Sequence, residues 1–134
     1  MTRPERRRPP QHRGEAHLEL ESLGRRWLAC FGTKDLDTLL SLYAGDARHY
    51  SPRLLTARPE TGGWIAGHAA LRAWWADAFA RLPQLSYEER KITAGPSSLV
   101  LEYLRRAPGE PDLVVVESFE VRDGLITESR VHPR

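Results

Sequence analysis

Residues 114–131 read VVVESFEVRDGLITESRV, and this stretch decides the fold class. Apolar and polar side chains alternate on both sides of the dipeptide Asp123–Gly124, as in two antiparallel strands that a tight turn connects. We therefore predict strands at residues 112–122 and 125–132. This half of the chain should then form an antiparallel sheet.

Two further strands are predicted before this hairpin, at about residues 85–93 and 98–106. The turn-forming segments AGPS and APGEP separate the strands, so that all four follow one another in meander order. A short strand is predicted earlier, in ARHYSP at residues 47–52, where Pro52 ends it. Residues 53–66 contain two consecutive glycines and are predicted to be a long loop, either a lid or a segment without order.

Three segments have the apolar spacing of amphipathic helices. The first covers residues 15–34, and the second starts after Asp35, whose side chain suits an N-cap. The third is GHAALRAWWADAFARLP, which Pro83 ends. The order helix, helix, strand, helix and four strands predicts an α+β fold, in which a long sheet curls around three helices and leaves a pocket at its open end.

The composition argues against several classes of protein. A chain of 134 residues fits a single domain, and no apolar run reaches the roughly 18 residues that a membrane-spanning helix needs. The single cysteine, Cys30, excludes a disulfide framework and argues against a thiolate metal site. We therefore expect a cytoplasmic protein.

The positive charge is unevenly distributed. Residues 1–14 contain five Arg and one Glu, whereas the formal charge of the whole chain is only +2. Arg and Pro without apolar residues predict a disordered basic tail over residues 1–13, followed by one domain over residues 14–134. The domain has no interleaved basic and aromatic residues, so we expect it not to bind nucleic acid.

Three segments carry a family resemblance: LLSLYAGDARHYSP, GHAALRAWWADAF and ESFEVRDGLITESRV. In order and content they resemble the SnoaL-like and ketosteroid-isomerase-like branch of the nuclear transport factor 2 (NTF2) superfamily, over about residues 15–133. The resemblance implies a cone-shaped, curved antiparallel sheet packed on three N-terminal helices. It leaves the chemistry open, because isomerases, cyclases, epoxide hydrolases, dehydratases and non-catalytic binders share this fold.

The resemblance assigns individual positions, and several depart from the pattern of the steroid isomerases. Their general-base Asp stands directly before the proline that ends the first strand, where this chain has Ser51, which needs a base of its own. Glu117 matches the acid of their sheet, and Trp27 matches the tyrosine of their oxyanion hole, although an indole N–H only donates. The acids of the epoxide hydrolases fall near Tyr103 and on Val131, which argues against that reaction.

Strand alternation places two ionisable residues on one side of the sheet. If Ser51 faces the pocket, so does His49, and Glu117 is the charged member of an otherwise apolar inner set. A carboxyl in such a place must find a partner or stay protonated. We predict His49 and Glu117 as a catalytic pair in which the carboxylate favours the charged imidazole. A structural histidine and an interior ion pair or hydrogen bond are the alternatives.

The other pocket residues are predicted from the resemblance and from strand facing: Trp27, Ser51, Trp75, Tyr103 and Phe119. Both tryptophans also have core spacing on their helices, so packing is the alternative for them, and the facing of Tyr103 is open. The five histidines show no pairing at metal-ligand spacing, and no phosphate-binding loop occurs. We therefore expect neither a metal nor a cofactor.

Three functions fit these residues. The first is cofactor-free acid–base chemistry, such as isomerisation, cyclisation or dehydration, on a small apolar molecule that bears a carbonyl. The second is binding of such a molecule without turnover. The third is a dimeric interaction domain with a residual pocket. Val114, Val116 and Ser118 should face outward from the sheet and predict a homodimer.

Overall fold

The structure is a computed structural model that describes the backbone of residues 10–132 and the side chains of residues 14–132. Of the predicted basic tail over residues 1–13, residues 1–9 lie outside the described part, and the first helix begins at Pro10. The elements are, in chain order, α1 (Pro10–Thr33), α2 (Leu36–Ser41), β1 (Tyr43–Tyr50), α3 (Pro52–Ala57), β2 (Trp64–Ala66), α4 (His68–Arg81), β3 (Ser86–Ala94), β4 (Ser98–Arg106), β5 (Leu113–Arg122) and β6 (Leu125–His132).

The six strands form one sheet in the order β2-β1-β6-β5-β4-β3. Strands β3 to β6 are the predicted antiparallel meander, but β1 runs parallel to β6, with His49 opposite Ser129. The sheet is therefore mixed, and the expectation of a wholly antiparallel sheet was wrong in this one pair. Parallel strands need a long connection, and the chain from α3 to β5 supplies it.

Curvature of the sheet creates room for the helices on its inner face. The register shifts between Glu89 and Lys91 in β3 and between Glu120 and Val121 in β5. Such bulges bend and twist a strand, so the sheet curves around α1 without closing. Helix α1 crosses β3 and β4 closely at Gly24, where a Cβ would lie only 2.8 Å from Leu99 Cδ1. The fold is the predicted α+β arrangement.

Helix α2 begins as predicted. The Asp35 side chain accepts a hydrogen bond from the Thr38 amide at 3.1 Å and caps the helix. The helix is shorter than its apolar spacing suggested, however. Tyr43, which has the spacing of its apolar face, is instead the first residue of β1 and is 2% exposed.

The segment predicted as a long loop contains helix α3, a short 3₁₀ helix at Pro59–Thr61 and strand β2, so that prediction was wrong. Ser51 caps α3, and Pro52 occupies its first turn, where a proline loses no hydrogen bond. The chain then reverses at Gly62 and Gly63, both at positive φ, and returns as β2 antiparallel to β1. Ser51 and Pro52 therefore begin helix α3 as well as ending strand β1.

Candidate functional site

A pocket of about 870 Å³ opens between α3, α4 and the inner face of the sheet. The structure places six of the seven predicted site residues at this pocket: Trp27, His49, Ser51, Trp75, Tyr103 and Glu117. Three of its ionisable residues are almost fully buried: Glu117 is 1%, Tyr103 2% and His49 3% exposed. Exposed charged residues of α3 and α4 form the mouth at the other end.

Phe119 is the predicted pocket residue that lies elsewhere. It is 1% exposed, and its ring centroid lies 5.0 Å from that of Trp27 in an edge-on contact. Strand alternation correctly turns Phe119 inward, but α1 covers that part of the sheet. Phe119 is therefore a core residue, and its assignment to the pocket was wrong.

A larger cleft of about 1420 Å³ lies between the first half of α1 and the turn that joins β5 to β6. Its walls include exposed charged residues such as Arg122 and Asp123. Within residues 14–132, the buried ionisable residues do not line this cleft. We therefore place the candidate site in the smaller pocket.

Glu117 is held by one of its two carboxyl oxygens. The Tyr103 hydroxyl donates a hydrogen bond to Oε1 at 2.8 Å, so Tyr103 faces inward. Oε2 is buried without a hydrogen-bond partner among the described residues, and it lies 3.8 Å from His49 Nδ1. Burial raises the pKa of Glu117 to about 8, and the bond from Tyr103 offsets only part of that rise.

His49 stands at the end of a buried chain of hydrogen bonds. Trp27 Nε1 donates to the Tyr43 hydroxyl at 3.0 Å, and Tyr43 donates to Ser129 Oγ at 2.9 Å. Ser129 Oγ lies 2.7 Å from His49 Nδ1. The parallel pairing of β1 with β6 creates this chain, because it sets Ser129 opposite His49.

The tryptophan fixes the direction of the chain, because an indole N–H can only donate. The Tyr43 hydroxyl must then donate its hydrogen bond to Ser129 Oγ. The Ser129 hydroxyl can in turn donate to His49 Nδ1. His49 Nδ1 is thus an acceptor, and the ring proton sits on Nε2. Burial lowers the pKa of His49 to about 4, although a backbone hydrogen bond with Ser129 opposes this.

The His49–Glu117 pair is therefore neutral near pH 7. The separation of 3.8 Å would permit an ion pair, but burial penalises the charged form of both partners, and no ion pair compensates in full. The expectation that the carboxylate would favour a charged imidazole was wrong. Because Oε1 accepts from Tyr103, the proton of neutral Glu117 sits on Oε2. The pair then offers two donors, Oε2–H and Nε2–H, of which Oε2 has no hydrogen-bond partner among the described residues.

Two predicted pocket residues have structural partners as well. The Trp27 N–H donates to the Tyr43 hydroxyl, so only the ring of Trp27 is available to contact a ligand in the pocket. Ser51 Oγ accepts from the Arg53 amide at 3.1 Å and caps α3. Trp75 is 4% exposed, and its ring lies 5.3 Å from that of His49.

Aromatic rings form the walls between the deep end and the mouth. Tyr87 stacks on Tyr103 with centroids 4.3 Å apart, and Phe31 stacks on Tyr87 at 4.2 Å. Burial raises the pKa of Tyr87 to about 12 and that of Tyr103 well above its usual range, so both phenols stay protonated. These walls suit a flat, largely apolar ligand.

Three charged residues meet at the mouth of the pocket. Arg105 Nη1 donates to Glu110 Oε1 at 2.8 Å, and Arg53 Nη2 lies 3.5 Å from the same oxygen. Arg105 is 5% exposed, whereas Glu110 and Arg53 are partly open to solvent. Arg105 lowers the pKa of Glu110, so that this carboxylate stays ionised.

Sequence reasoning missed Tyr43, Tyr87, Arg105 and Ser129. Strand alternation in β4 places Arg105 on the same face as Tyr103, so Arg105 could have been predicted as a pocket residue. The roles of Ser129 and Tyr43 could not be predicted from the sequence, because they depend on which strand pairs with β1.

Among the described residues, no group of three His, Cys, Asp or Glu side chains could hold a metal. Within the same part, no helix is both long and apolar enough to span a membrane.

The fold and the pocket define an NTF2-like protein with a small-molecule cavity. Residues 24–129 match the family model of the SnoaL-like domain, and the chain therefore belongs to the SnoaL-like family. This confirms the resemblance seen in the sequence. No curated protein matches the chain significantly.

Solved structures share the same fold. A SnoaL-like protein of unknown function from Burkholderia thailandensis is 26% identical, with a TM-score of 0.77 over 86% of this chain and 93% of its own. A candidate polyketide cyclase from Xanthomonas campestris pv. campestris is 19% identical, with a TM-score of 0.71 over 89% of this chain and 93% of its own. TerC, co-crystallised with polyporic acid, is 22% identical, with a TM-score of 0.72 over 87% of this chain and 91% of its own.

Proposed function

We propose that this protein binds a small, largely apolar compound and polarises a carbonyl oxygen of that compound with two neutral donors, Glu117 and His49. The reaction class that this supports is cofactor-free enolisation, as in isomerisation, cyclisation or dehydration. The observation that carries the proposal is the buried Glu117 carboxyl, held at Oε1 by Tyr103 and unpartnered at Oε2. A SnoaL-like domain and a TerC structure with a bound ligand support a small-molecule pocket.

Neutral donors suit this task for a physical reason. Negative charge develops on a carbonyl oxygen during enolisation, and preorganised donors in an apolar pocket stabilise that charge strongly. A protonated carboxyl with a pKa of about 8 is a better donor than an amide or water, yet it brings no charge that would repel the oxygen. The Trp27–Tyr43–Ser129 chain holds His49 in the matching tautomer.

The resting His49 is not a general base in this proposal. Its Nδ1 lone pair accepts from Ser129, and reversal of the chain would leave the Tyr43 hydroxyl facing the Trp27 N–H without an acceptor. The other carboxylate residue among the described pocket residues, Asp77 on α4, is exposed and paired with Arg81. The proton acceptor would therefore be water or a second functional group of the ligand.

The missing base supports a second candidate function, which is binding without turnover. The two functions can be separated with a model ketone, 2-tetralone, whose α-protons exchange in D₂O and can be followed by proton NMR. Accelerated exchange by the wild-type protein supports enolisation. Binding, seen as shifted resonances, without accelerated exchange supports the binding module and contradicts the catalytic proposal.

Two variants of Glu117 sharpen this experiment. Glu117→Leu removes the donor and should cost roughly 100-fold in the exchange rate, the usual worth of an oxyanion donor. Glu117→Gln keeps an N–H donor and should therefore retain most of the 2-tetralone affinity. If Glu117→Gln instead abolished binding as completely as Glu117→Leu, the account based on a neutral donor would be wrong. Arg72→Gln, in the exposed pair with Asp37, is the control variant.

We also propose that the outer face of the sheet forms a homodimer. Val100 is 39% exposed there, and the β4–β5 register sets it opposite Ser118 and sets Glu102 opposite Val116. Sedimentation velocity should show a dimer at micromolar concentration, and Val100→Glu should dissociate it. A monomeric wild-type protein would contradict this proposal. A cytoplasmic location stays a prediction.

A further inference from the structure

The mouth of the pocket contains a buried cation whose role the proposed function does not use. Arg105 lies on the inner face of β4, two residues beyond Tyr103, and its side chain is 7% exposed. Arginine is seldom buried in an apolar wall unless its guanidinium is paired. Among the described residues, Arg105 has one hydrogen-bond partner, Glu110, whereas a guanidinium carries five N–H groups.

The partner of Arg105 is shared and partly exposed. Glu110 comes from the turn between β4 and β5, its side chain is 37% exposed, and the same oxygen also attracts Arg53. Two cations thus face one carboxylate, which leaves the mouth with a net positive charge. Both arginines also act inside the pocket, because each of them lowers the pKa of the Tyr87 phenol against the effect of burial.

We propose that Arg105, assisted by Arg53, binds an anionic group of the ligand, such as a carboxylate, and that Glu110 occupies this site in the absence of ligand. This inference rests on the proposed function, because it concerns the other end of the same ligand. A planar carboxylate can take two parallel hydrogen bonds from a guanidinium. Replacement of the Glu110 carboxylate by a ligand carboxylate therefore leaves Arg105 paired.

The strand geometry sets the length of the ligand. Residues two apart on a strand lie about 7 Å apart, and the β4–β5 register sets Glu117 opposite Leu101, four residues before Arg105, so the backbone positions of the two ends lie roughly 13 Å apart. The stacked rings of Tyr87 and Tyr103 lie along this path. The ligand class is thus a flat aromatic or polycyclic acid that carries a carbonyl or enol oxygen at one end and an anionic group at the other.

A matched pair of fluorescent probes tests the anionic site. 8-Anilinonaphthalene-1-sulfonate and N-phenyl-1-naphthylamine share one ring system, but only the first carries a negative group. The wild-type protein should bind the sulfonate more tightly than the neutral amine. Arg105→Gln should lower the affinity for the sulfonate by roughly 10-fold or more, as expected for a charge-assisted hydrogen bond, and should leave the affinity for the amine within about twofold.

Glu110→Gln distinguishes a ligand site from an ion pair that merely anchors the turn. If Glu110 competes with the ligand, its neutral variant should bind the sulfonate several-fold more tightly than the wild type. If the pair only holds the turn, the variant should bind it equally or more weakly, which would overturn the proposal. Arg53→Gln, at an exposed position, should give a smaller loss and provides the test if Arg105 variants do not fold. Arg72→Gln should change neither affinity.

The outcomes also separate this inference from the proposed function. If the amine and 2-tetralone bind but the sulfonate has no advantage, the anionic site is wrong and the neutral deep end stands. If neither probe nor 2-tetralone enters the pocket, both proposals fail. If the sulfonate advantage is present but 2-tetralone exchange is not accelerated, the anionic site stands in a protein that binds without turnover.

Discussion

Two glutamates at opposite ends of one pocket differ in charge, and the difference shows how position on the sheet sets the chemistry of a side chain. Glu117 lies on β5 among aromatic rings, and burial raises its pKa to about 8. Glu110 lies in the exposed turn that precedes β5, and Arg105 lowers its pKa. The pocket therefore has a neutral end that donates hydrogen bonds and a charged end that attracts anions. A ligand that spans both ends is oriented by the contrast.

The largest effect is expected from the hydrogen-bond chain at the neutral end. Ser129→Val should lower the free energy of unfolding by roughly 2–6 kcal/mol, because it leaves the buried Tyr43 O–H without an acceptor and His49 Nδ1 without a donor, at roughly 1–3 kcal/mol each. Ser118→Val is the matched control on the outer face, where Ser118 bonds His132 in a half-buried place. Denaturant unfolding of both variants measures the contrast. Equal losses of unfolding free energy in the two variants would show that the buried hydrogen-bond chain stabilises the protein no more than the half-buried bond of Ser118.

The next effect is a pH dependence that Glu117 imposes on stability. Glu117 binds a proton more tightly when folded, so folded stability falls as pH rises from the usual carboxyl pKa towards about 8. His49, with a pKa of about 4, binds a proton less tightly when folded, so its contribution rises with pH up to about 6.5. The two slopes oppose each other between about pH 4.5 and 6.5, and only the fall remains above that range.

Glu117→Gln should remove this fall. The wild-type protein should lose up to ~1.4 kcal/mol of unfolding free energy per pH unit between about pH 6.5 and 8, while the variant stays flat there. Urea unfolding at a series of pH values measures the difference between the two proteins. A variant that falls as steeply as the wild type over this range would mean that Glu117 is already ionised in the folded protein.

The smallest effect is expected at the charged end. The pKa of Glu110 is lowered, so its contribution to stability is present above the usual carboxyl pKa and is lost as pH falls below it. Glu110→Gln should therefore alter the pH profile only on the acidic side, and only slightly, because this carboxylate is partly exposed. A loss on the scale of Ser129→Val would show that the turn depends on this ion pair and would weaken the contrast between the two ends.

The two ends also differ in how far the sequence predicts them. Strand alternation turns Glu117 and His49 inward, and the Asp123–Gly124 turn fixes the meander that carries Glu117. The link between Ser129 and His49 could not be found in this way, because alternation shows the facing of a side chain and not the neighbour of its strand. The parallel pairing of β1 with β6 is a long-range property of the fold.

The charge state of the pair also required the structure. Two opposite charges close together normally stabilise each other, and this led to the expectation of a charged imidazole. The outcome depends on how completely both groups lose water, which only the packing of α1 and α4 on the sheet determines. Ser51 and Phe119 also face inward as predicted, but strand alternation does not show what covers them. Ser51 caps the first turn of α3, and Phe119 packs against Trp27 of α1.

The most direct test of the account is the protonation state of Glu117. In protein labelled with ¹³C at the Glu side-chain carboxyl, the signal that disappears in Glu117→Gln can be followed over pH by NMR. We expect a neutral carboxyl at about pH 6 that becomes a carboxylate near pH 8. A carboxylate signal already present at about pH 6 would contradict the neutral donor and, with it, the proposed polarisation of a carbonyl.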